Sequence, residues 1–341
     1  MKVAIAILNW NGKELLDKFL PAVIEHSVTG ADIYVIDNAS TDGSIELLKQ
    51  KHQRVKVILN PSNDGYAKGY NDGLKSIEAD YFVLLNSDVE VSSGWIQPVI
   101  DLMESDTSIA ACQPKLLNYA VRDEFEYAGG GGGYIDKWGY PFCRGRIFNA
   151  FEKDNAQYND TREIFWASGA CLFIRSKIFF EAGGFDEDFF AHMEEIDLCW
   201  RIRNLGYKIY YSAGSTVYHV GAGTLAKMNP RKTFYNFRNN LLLLTKNHAP
   251  GFFFIKLLLR GSLDGIAGLK FLLSGDISHF FAVLRAHFSF YGLLAKMLGK
   301  RRAIKKKVVH YASHCVYRGS IVWDFFVKGK RKFTELDQKL F

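Results

Sequence analysis

The chain has 341 residues, 48% hydrophobic, 23% charged and 15% aromatic, so a sizeable core can form and global disorder is excluded. Five widely spaced cysteines without a CxxC pair argue against a disulfide framework or a structural zinc site and fit a reducing compartment. The net charge of +7 conceals a division, because residues 1–224 carry 21 Lys and Arg against 31 Asp and Glu, whereas residues 225–341 carry 22 against 5. An acidic front suits a site that holds metal ions. A basic tail suits a surface that meets phosphate, whether membrane headgroups, lipid diphosphates or nucleic acid.

The opening MKVAIAILNWNG reads as a buried strand and turn rather than a signal-peptide core, so a cytoplasmic location is expected. Apolar runs at Val3–Leu8, Ile33–Asn38, Val55–Leu59 and Tyr81–Asn86 predict strands. Helix-like stretches at Lys13–Glu25, Ser44–Gln50, Gly65–Ile77 and Trp95–Met103 lie between or after them. This alternation predicts an α/β fold, with a mostly parallel sheet sandwiched by helices and a ligand site at the carboxyl ends of its strands. Asn9, Asn11, Asp37, Asn38, Asn60, Asn86 and Asp88 collect at those ends.

From about Gln113 to Ile164 the pattern breaks down, and the glycine-dense Tyr127–Arg146 reads as a mobile loop or irregular hairpin, either a lid or a plain surface loop. A strand at Trp166–Arg175, a helix near Ser176–Ala182, a helix at Glu194–Arg203, a strand at Tyr207–Ala213 and the segment Ser215–Thr224 follow. Beyond Met228, helical stretches are expected at Thr233–Asn247, Phe252–Ser274, Ile277–Leu298 and Val308–Val327. Lys256, Arg260, Asp264 and Lys270 place charge through the second of these, which disfavours a membrane span and favours an amphipathic helix on a membrane or in a helical subdomain. Lys300–Lys307 adds a polybasic run suited to anionic membrane, and no DNA- or RNA-binding motif accompanies it, so no nucleic-acid partner is expected.

The chemistry is concentrated in a few motifs. In LLNSDVEV (Leu84–Val91), Asn86 and Asp88 straddle a strand end and can address one ion, the hard carboxylate suiting Mg²⁺ or Mn²⁺. In VIDNASTDGS (Val35–Ser44), Asp37 can accept from a base or ribose, while Asp42 reads as a cap for the next helix. NDGYAKGYNDG (Asn63–Gly73) has glycines that permit close backbone approach, although a plain loop-to-helix junction explains it equally well. Together with ILNWNG, SGACLFIR, FFAHMEEIDLCWRIRNLGY and YHVGAGT, these pieces over residues 3–225 resemble glycosyltransferase family 2 of inverting GT-A enzymes, especially the bacterial rhamnosyltransferase-like subgroup.

The resemblance implies a GT-A (Rossmann-like) nucleotide-sugar-binding and catalytic domain over residues 1–228 and a helical, basic region over 229–341 with peripheral membrane contact. It implies a metal-dependent inverting glycosyltransferase that uses a dTDP- or UDP-sugar and a glycan or lipid-linked acceptor at the inner face of the cytoplasmic membrane. By likeness, Asn9, Asn11, Asp37, Asn63, Gly65, Asn71, Asn86 and Asp88 would bind the donor. Asp88 and His219 would hold Mn²⁺ or Mg²⁺, with Asn86 standing where the family's metal motif usually has Asp. The catalytic base would come from Glu194–Glu195, with Glu195 the first choice and a swap with Glu194 open. Asp197 reads as a structural partner for Arg201 and Trp200 as core.

Other readings compete. A nucleotidyltransferase would want a glycine-rich loop with a basic residue after the first strand, which Asn9–Gly12 lacks. An NAD-dependent dehydrogenase would want GxGxxG between strand and helix. A non-catalytic membrane-associated protein would leave the front acids unexplained, and an inactive transferase would be indifferent to loss of Glu195 and Asp88.

Overall fold

The computed structural model describes residues 1–27, 30–221, 229–251 and 253–341. Ala222–Thr224 of the late His motif, the expected domain boundary at Met228 and the expected helix start at Phe252 lie outside the described residues.

Strand and helix alternate through β1 (Val3–Asn9), α1 (Lys13–His26), β2 (Ala31–Asp37), α2 (Ser44–Lys51), β3 (Lys56–Leu59), α3 (Tyr66–Leu74) and β4 (Tyr81–Asn86). β1 lies between β2 and β4, parallel to both, and β3 extends the sheet beyond β2. Period-two alternation sends Val3, Ile5 and Ile7 into a cluster with Leu16, Leu20 and Val23 of α1. Ala4 and Ala6 face the other way, into a cluster with Ala67, Tyr70 and Leu74 of α3. Both faces are therefore covered, and apolar residues are required at consecutive positions. Buried polar side chains cluster where β1, β2 and β4 emerge at their carboxyl ends, at Asn9, Asp37, Asn38 and Asp88.

The chain continues through β5 (Val89–Val91), α4 (Gln97–Ser105), β6 (Ile109–Asn118), β7 (Gly133–Asp136), β8 (Pro141–Cys143), β9 (Arg146–Ile147), β10 (Ala150–Phe151), β11 (Thr161–Ile164) and β12 (Cys171–Arg175). Then come α5 (Ser176–Glu181), α6 (Glu194–Asn204), β13 (Lys208–His219), α7 (Pro230–Asn247), α8 (Phe253–Leu273), α9 (Ile277–Lys305), β14 (Val316–Tyr317) and α10 (Ile321–Phe326). The main sheet runs β11-β13-β6-β12-β4-β1-β2-β3, with β5 also pairing β13. It is parallel from β3 to β4, and again between β6 and β13, with β12 inserted antiparallel. The architecture is α/β, a central sheet flanked by helices, with further helices at the C-terminal end.

One open reading is decided and one expectation is corrected. Tyr127–Arg146 is the hairpin rather than the mobile loop: β7 pairs antiparallel with β8 in a second, five-stranded sheet ordered β10-β9-β8-β7-β14. Its glycines are buried for a steric reason, since a Cβ on Gly133 would meet the Trp166 ring at 2.2 Å. Val308–Val327 is not a single helix, because β14 pairs in parallel with β7 and only Ile321–Phe326 is helical. The C-terminal segment thus folds back onto the first half of the chain. Among the described residues, no helix is long and apolar enough to cross a membrane.

Candidate functional site

The carboxyl ends of β1 and β2 form one hydrogen-bonded rim. Asn9 donates its amide to the Asp37 carboxylate at 2.8 Å and to Ser40 Oγ at 3.2 Å. Ser40 N donates to Asp37 Oδ1, and Asn11 N donates to Ser40 Oγ, both at 2.8 Å. Asn11 itself, at φ 50°, takes the Thr41 N–H at 2.8 Å. Asp37 is 1% exposed and is held by its own turn before any ligand arrives. Asp42 binds the backbone N–H groups of Lys13 and Ser44, where α1 and α2 begin, as its cap-like spacing predicts.

A second amide cluster stands beside this rim. Asn60 donates to Asn38 Oδ1 at 2.7 Å, and Asn38 donates to the Gly65 carbonyl at 3.3 Å, within reach of Asn63. Gly65 (φ 94°) is required where it is, because a Cβ would meet the Phe190 ring at 2.7 Å. Asn71, expected at the donor, is turned elsewhere: its side chain exchanges bonds of 2.9 Å with the backbone of Phe185 and braces α3 against that loop.

The end of β4 meets the end of β13. His219 Nε2 lies 3.1 Å from Asp88 Oδ1, and Nδ1 lies 3.1 Å from Glu126 Oε1. Asn86 Nδ2 stands 3.5 Å from the same Nε2. All three ionisable groups are buried. Burial opposes the imidazolium, but Glu126 and Asp88 outweigh it and push His219 up to about 10. Burial likewise opposes both carboxylates, and His219 nevertheless holds them below the usual carboxylate range. A divalent cation would have to displace the His219 proton; with that proton gone, Asp88, Nε2 of His219 and the Asn86 amide oxygen could hold the ion, while Glu126, 3.1 Å from the far ring nitrogen, would orient the imidazole. Sequence reasoning missed Glu126, whose only signal was an acid in the run Asp123–Glu126 after a buried strand.

The carboxylate pair of α6 lies across a narrow strip of backbone. Asn86 N donates to the Ala170 carbonyl at 3.0 Å, while a Cβ on Gly169 would lie 3.6 Å from Glu195 Cβ and the Gly169 carbonyl accepts the Tyr66 hydroxyl at 2.9 Å. Ser168–Ala170 thus joins the Asp88 region to Glu195. Oε2 of Glu194 and Oε2 of Glu195 are both buried without a protein partner. Burial pushes Glu195 up to about 7, and burial together with the neighbouring Glu195 holds Glu194 well above the ordinary carboxylate range.

The turn that delivers this pair is strained. Phe190, His192 and Met193 all have φ between 63° and 72°, a region that non-glycine residues avoid. The fully buried Asn239 of α7 compensates by donating its amide to the carbonyls of Phe189, Ala191 and His192 at 3.0, 2.9 and 2.7 Å. Arg238 donates to the Asp188 and Phe189 carbonyls. Neither residue was singled out from sequence; for Asn239 the available signal was its place in the Asn239–Asn240 pair, poor helix formers inside an expected helix. Asp197 does pair with Arg201, at 2.8 Å, and Lys246 joins it at the same distance. Trp200 is core.

The sequence profile described as glycosyl transferase family 2 matches residues 4–180, more than half the chain. The chain belongs to glycosyl transferase family 2. It is a glycosyltransferase, similar to the N-acetylglucosaminyl-diphospho-decaprenol L-rhamnosyltransferase of Mycobacterium tuberculosis (24% identical over 250 residues, 69% of this chain and 81% of that one). It is also similar to a low-salt glycan biosynthesis hexosyltransferase of Haloferax volcanii (26% over 210 residues, 59% and 61%). This family 2 chain shares its fold with the mannosyltransferase of Pyrobaculum calidifontis crystallised with GDP-Man and Mn²⁺ (TM-score 0.51, 12% identity, 90% and 85% covered). It shares it too with GalNAc-T7 crystallised with UDP, GalNAc and Mn²⁺ (TM-score 0.55, 18% identity, 72% and 48% covered).

Proposed function

We propose that this glycosyltransferase moves a sugar, with inversion, from a dTDP- or UDP-sugar to a hydroxyl of a lipid-linked glycan at an anionic membrane surface, the inner face of the cytoplasmic membrane. The observation that supports the reading is the segment Ser168–Ala170, whose Ala170 carbonyl accepts from Asn86 N, two residues before the Asp88 that pairs with His219, and whose Gly169 lies beside Glu195, with Oε2 buried and without a protein partner. Asn9, Asn11, Asp37, Asn63, Gly65 and Asn86 would line the nucleotide end. Asp88 and His219, with Asn86 beside them, would hold Mn²⁺ or Mg²⁺. A divalent cation bound there supplies positive charge to the leaving diphosphate.

Glu195 then accepts the proton of the acceptor hydroxyl as its oxygen forms the new bond to the anomeric carbon. The bond from that carbon to the diphosphate breaks on the opposite face. A base with its pKa near the working pH is the efficient choice for this task. Residues 1–228 form the catalytic domain in this reading, and residues 229–341 contribute Arg238 and Asn239 to the turn before Glu195. The relative named for N-acetylglucosaminyl-diphospho-decaprenol supports the lipid-linked acceptor and the rhamnosyl donor. The test is transfer from dTDP-rhamnose and from UDP-sugars to a polyprenyl-diphosphate sugar, with and without Mn²⁺. Metal-stimulated product with an inverted anomeric centre is expected. Transfer that keeps the donor's configuration, or none from any nucleoside diphosphate sugar, overturns it.

A further inference from the structure

The helix α8 is amphipathic in the reverse sense. It buries Arg260, Asp264 and Gly268 against the protein and turns its aliphatic and aromatic residues outward. The inward charges are partnered: the Arg260 guanidinium sits 3.4 Å above the Tyr140 ring, and Asp264 lies 3.3 Å from His287 of α9. Outside, Phe254 and Leu258 are each 72% exposed, Ile266 63% and Leu273 88%. On α9, Phe281 and Phe288 are 55% and 75% exposed and continue the surface. A helix packed on a soluble protein places these classes the other way round, and an apolar patch of this extent marks a contact surface.

We infer that this outward face of α8 and α9 docks on an anionic lipid bilayer, with the helices lying in the plane of the interface. The inference deepens the lipid-linked acceptor reading and rests on it for the identity of the membrane partner. Charge decides between a bilayer and a second copy of the chain. Along α9 the exposed stripe that begins with Phe281 and Phe288 continues at helical spacing to Arg302 and, at the C-cap, Lys306, with Lys305 and Lys307 exposed beside it. Apolar residues flanked by cations match acyl chains beneath anionic headgroups, whereas two copies would bring like charges together. Exposed Trp323 and Phe326 on α10 extend the surface, Phe326 lying against Lys270 of α8, and such aromatics suit the headgroup level. Because neither helix can cross a membrane, contact is from one side.

The experiment is flotation of the purified full chain with phosphatidylcholine vesicles, alone or with roughly a third phosphatidylglycerol, at about 0.1 M and about 0.5 M salt. The expected result is binding to the anionic vesicles at least tenfold stronger than to the neutral ones, weakened by salt. Leu258→Glu/Phe288→Glu should lose at least tenfold in vesicle binding while keeping its Tm and its nucleotide-dependent thermal shift. Arg302→Glu/Lys306→Glu should lose only the preference for anionic lipid. No binding by the wild type, or equal binding by the Leu258→Glu/Phe288→Glu variant, overturns the inference. So does a wild-type dimer in light scattering that this variant turns into a monomer, which would make the face a contact between copies. Failure of the catalytic reading looks different: vesicle binding intact and no transfer from any donor.

Discussion

Asn239, in the middle of α7, donates its side-chain amide to the main-chain carbonyl of His192 at 2.7 Å, two residues before the carboxylate pair of α6. The same amide reaches Phe189 and Ala191, so one buried residue satisfies the turn in which three left-handed non-glycine residues deliver Glu194 and Glu195. Asn239→Ala leaves those carbonyls without their donor. A stability loss of about 1–3 kcal/mol in urea unfolding is expected, with a fall in kcat of roughly a hundredfold as the carboxylates drift. Unchanged kcat in a folded Asn239→Ala protein would show that the turn holds itself.

Glu195→Gln should keep donor affinity and lose about 10²–10⁴ in transfer rate, the usual contribution of a positioned base. Glu194→Gln should lose less; the reverse order moves the base to Glu194. In the wild type the rate should climb with pH to a plateau above about 7, because only the ionised carboxylate takes a proton. Glu194, the Tyr66 hydroxyl and the Cys199 thiol are the titratable neighbours, and none supplies a positive charge that would lower this limb. Stability runs the other way. A carboxyl raised in the folded state favours folding fully below its unfolded value of 4.5, and that contribution disappears as pH rises through about 7. Relative to wild type, Glu195→Gln should therefore gain about 1–3 kcal/mol between acid and pH 8.

For the Asp88 region, thermal shift separates binding from chemistry. A nucleoside diphosphate with Mn²⁺, at about a hundred times its dissociation constant, should stabilise the wild type by roughly 2.7 kcal/mol. Asp88→Asn should abolish the Mn²⁺-dependent part of that shift. Glu126→Gln, which removes the carboxylate 3.1 Å from the far nitrogen of His219, should weaken metal affinity about 10–100-fold. A Glu126→Gln protein with wild-type Mn²⁺ affinity would leave Glu126 no part in orienting the histidine.

Buried ions also tie α6 and α7 together. Lys246 pairs with Asp186 and, at 2.8 Å, with Asp197, and all three are buried. Lys246→Met leaves Asp186 with Lys300 and Asp197 with Arg201, each short of one buried partner, and should cost about 1–3 kcal/mol, read as a lower urea midpoint with an unchanged slope. Burial works against the Asp186 charge, but Lys246 and Lys300 hold its carboxyl far below its ordinary range. Its contribution is thus present above about 3.8 and is lost as pH falls below that value, so Lys246→Met should flatten the acid unfolding profile.

The strands β1, β2 and β4 and the polar residues at their carboxyl ends are legible in the order of amino acids alone. Each rests on local pattern: apolar runs, alternating faces and the side chains where a run stops. The Asp197–Arg201 pair, one helical turn apart, is legible in the same way. Long-range contacts decided the rest. Glu126 reaches His219 only because β13 pairs with β6. The glycines of Tyr127–Arg146 became a packed second sheet when Trp166 and β14 closed over them. Asn239 found its role 47 residues away in sequence. In α8, Arg260 and Asp264 read as charges interrupting an apolar helix, and packing turned them inward onto Tyr140 and His287. Periodicity shows that a helix has two faces; only its partners, brought together from distant parts of the chain, decide which face is inside.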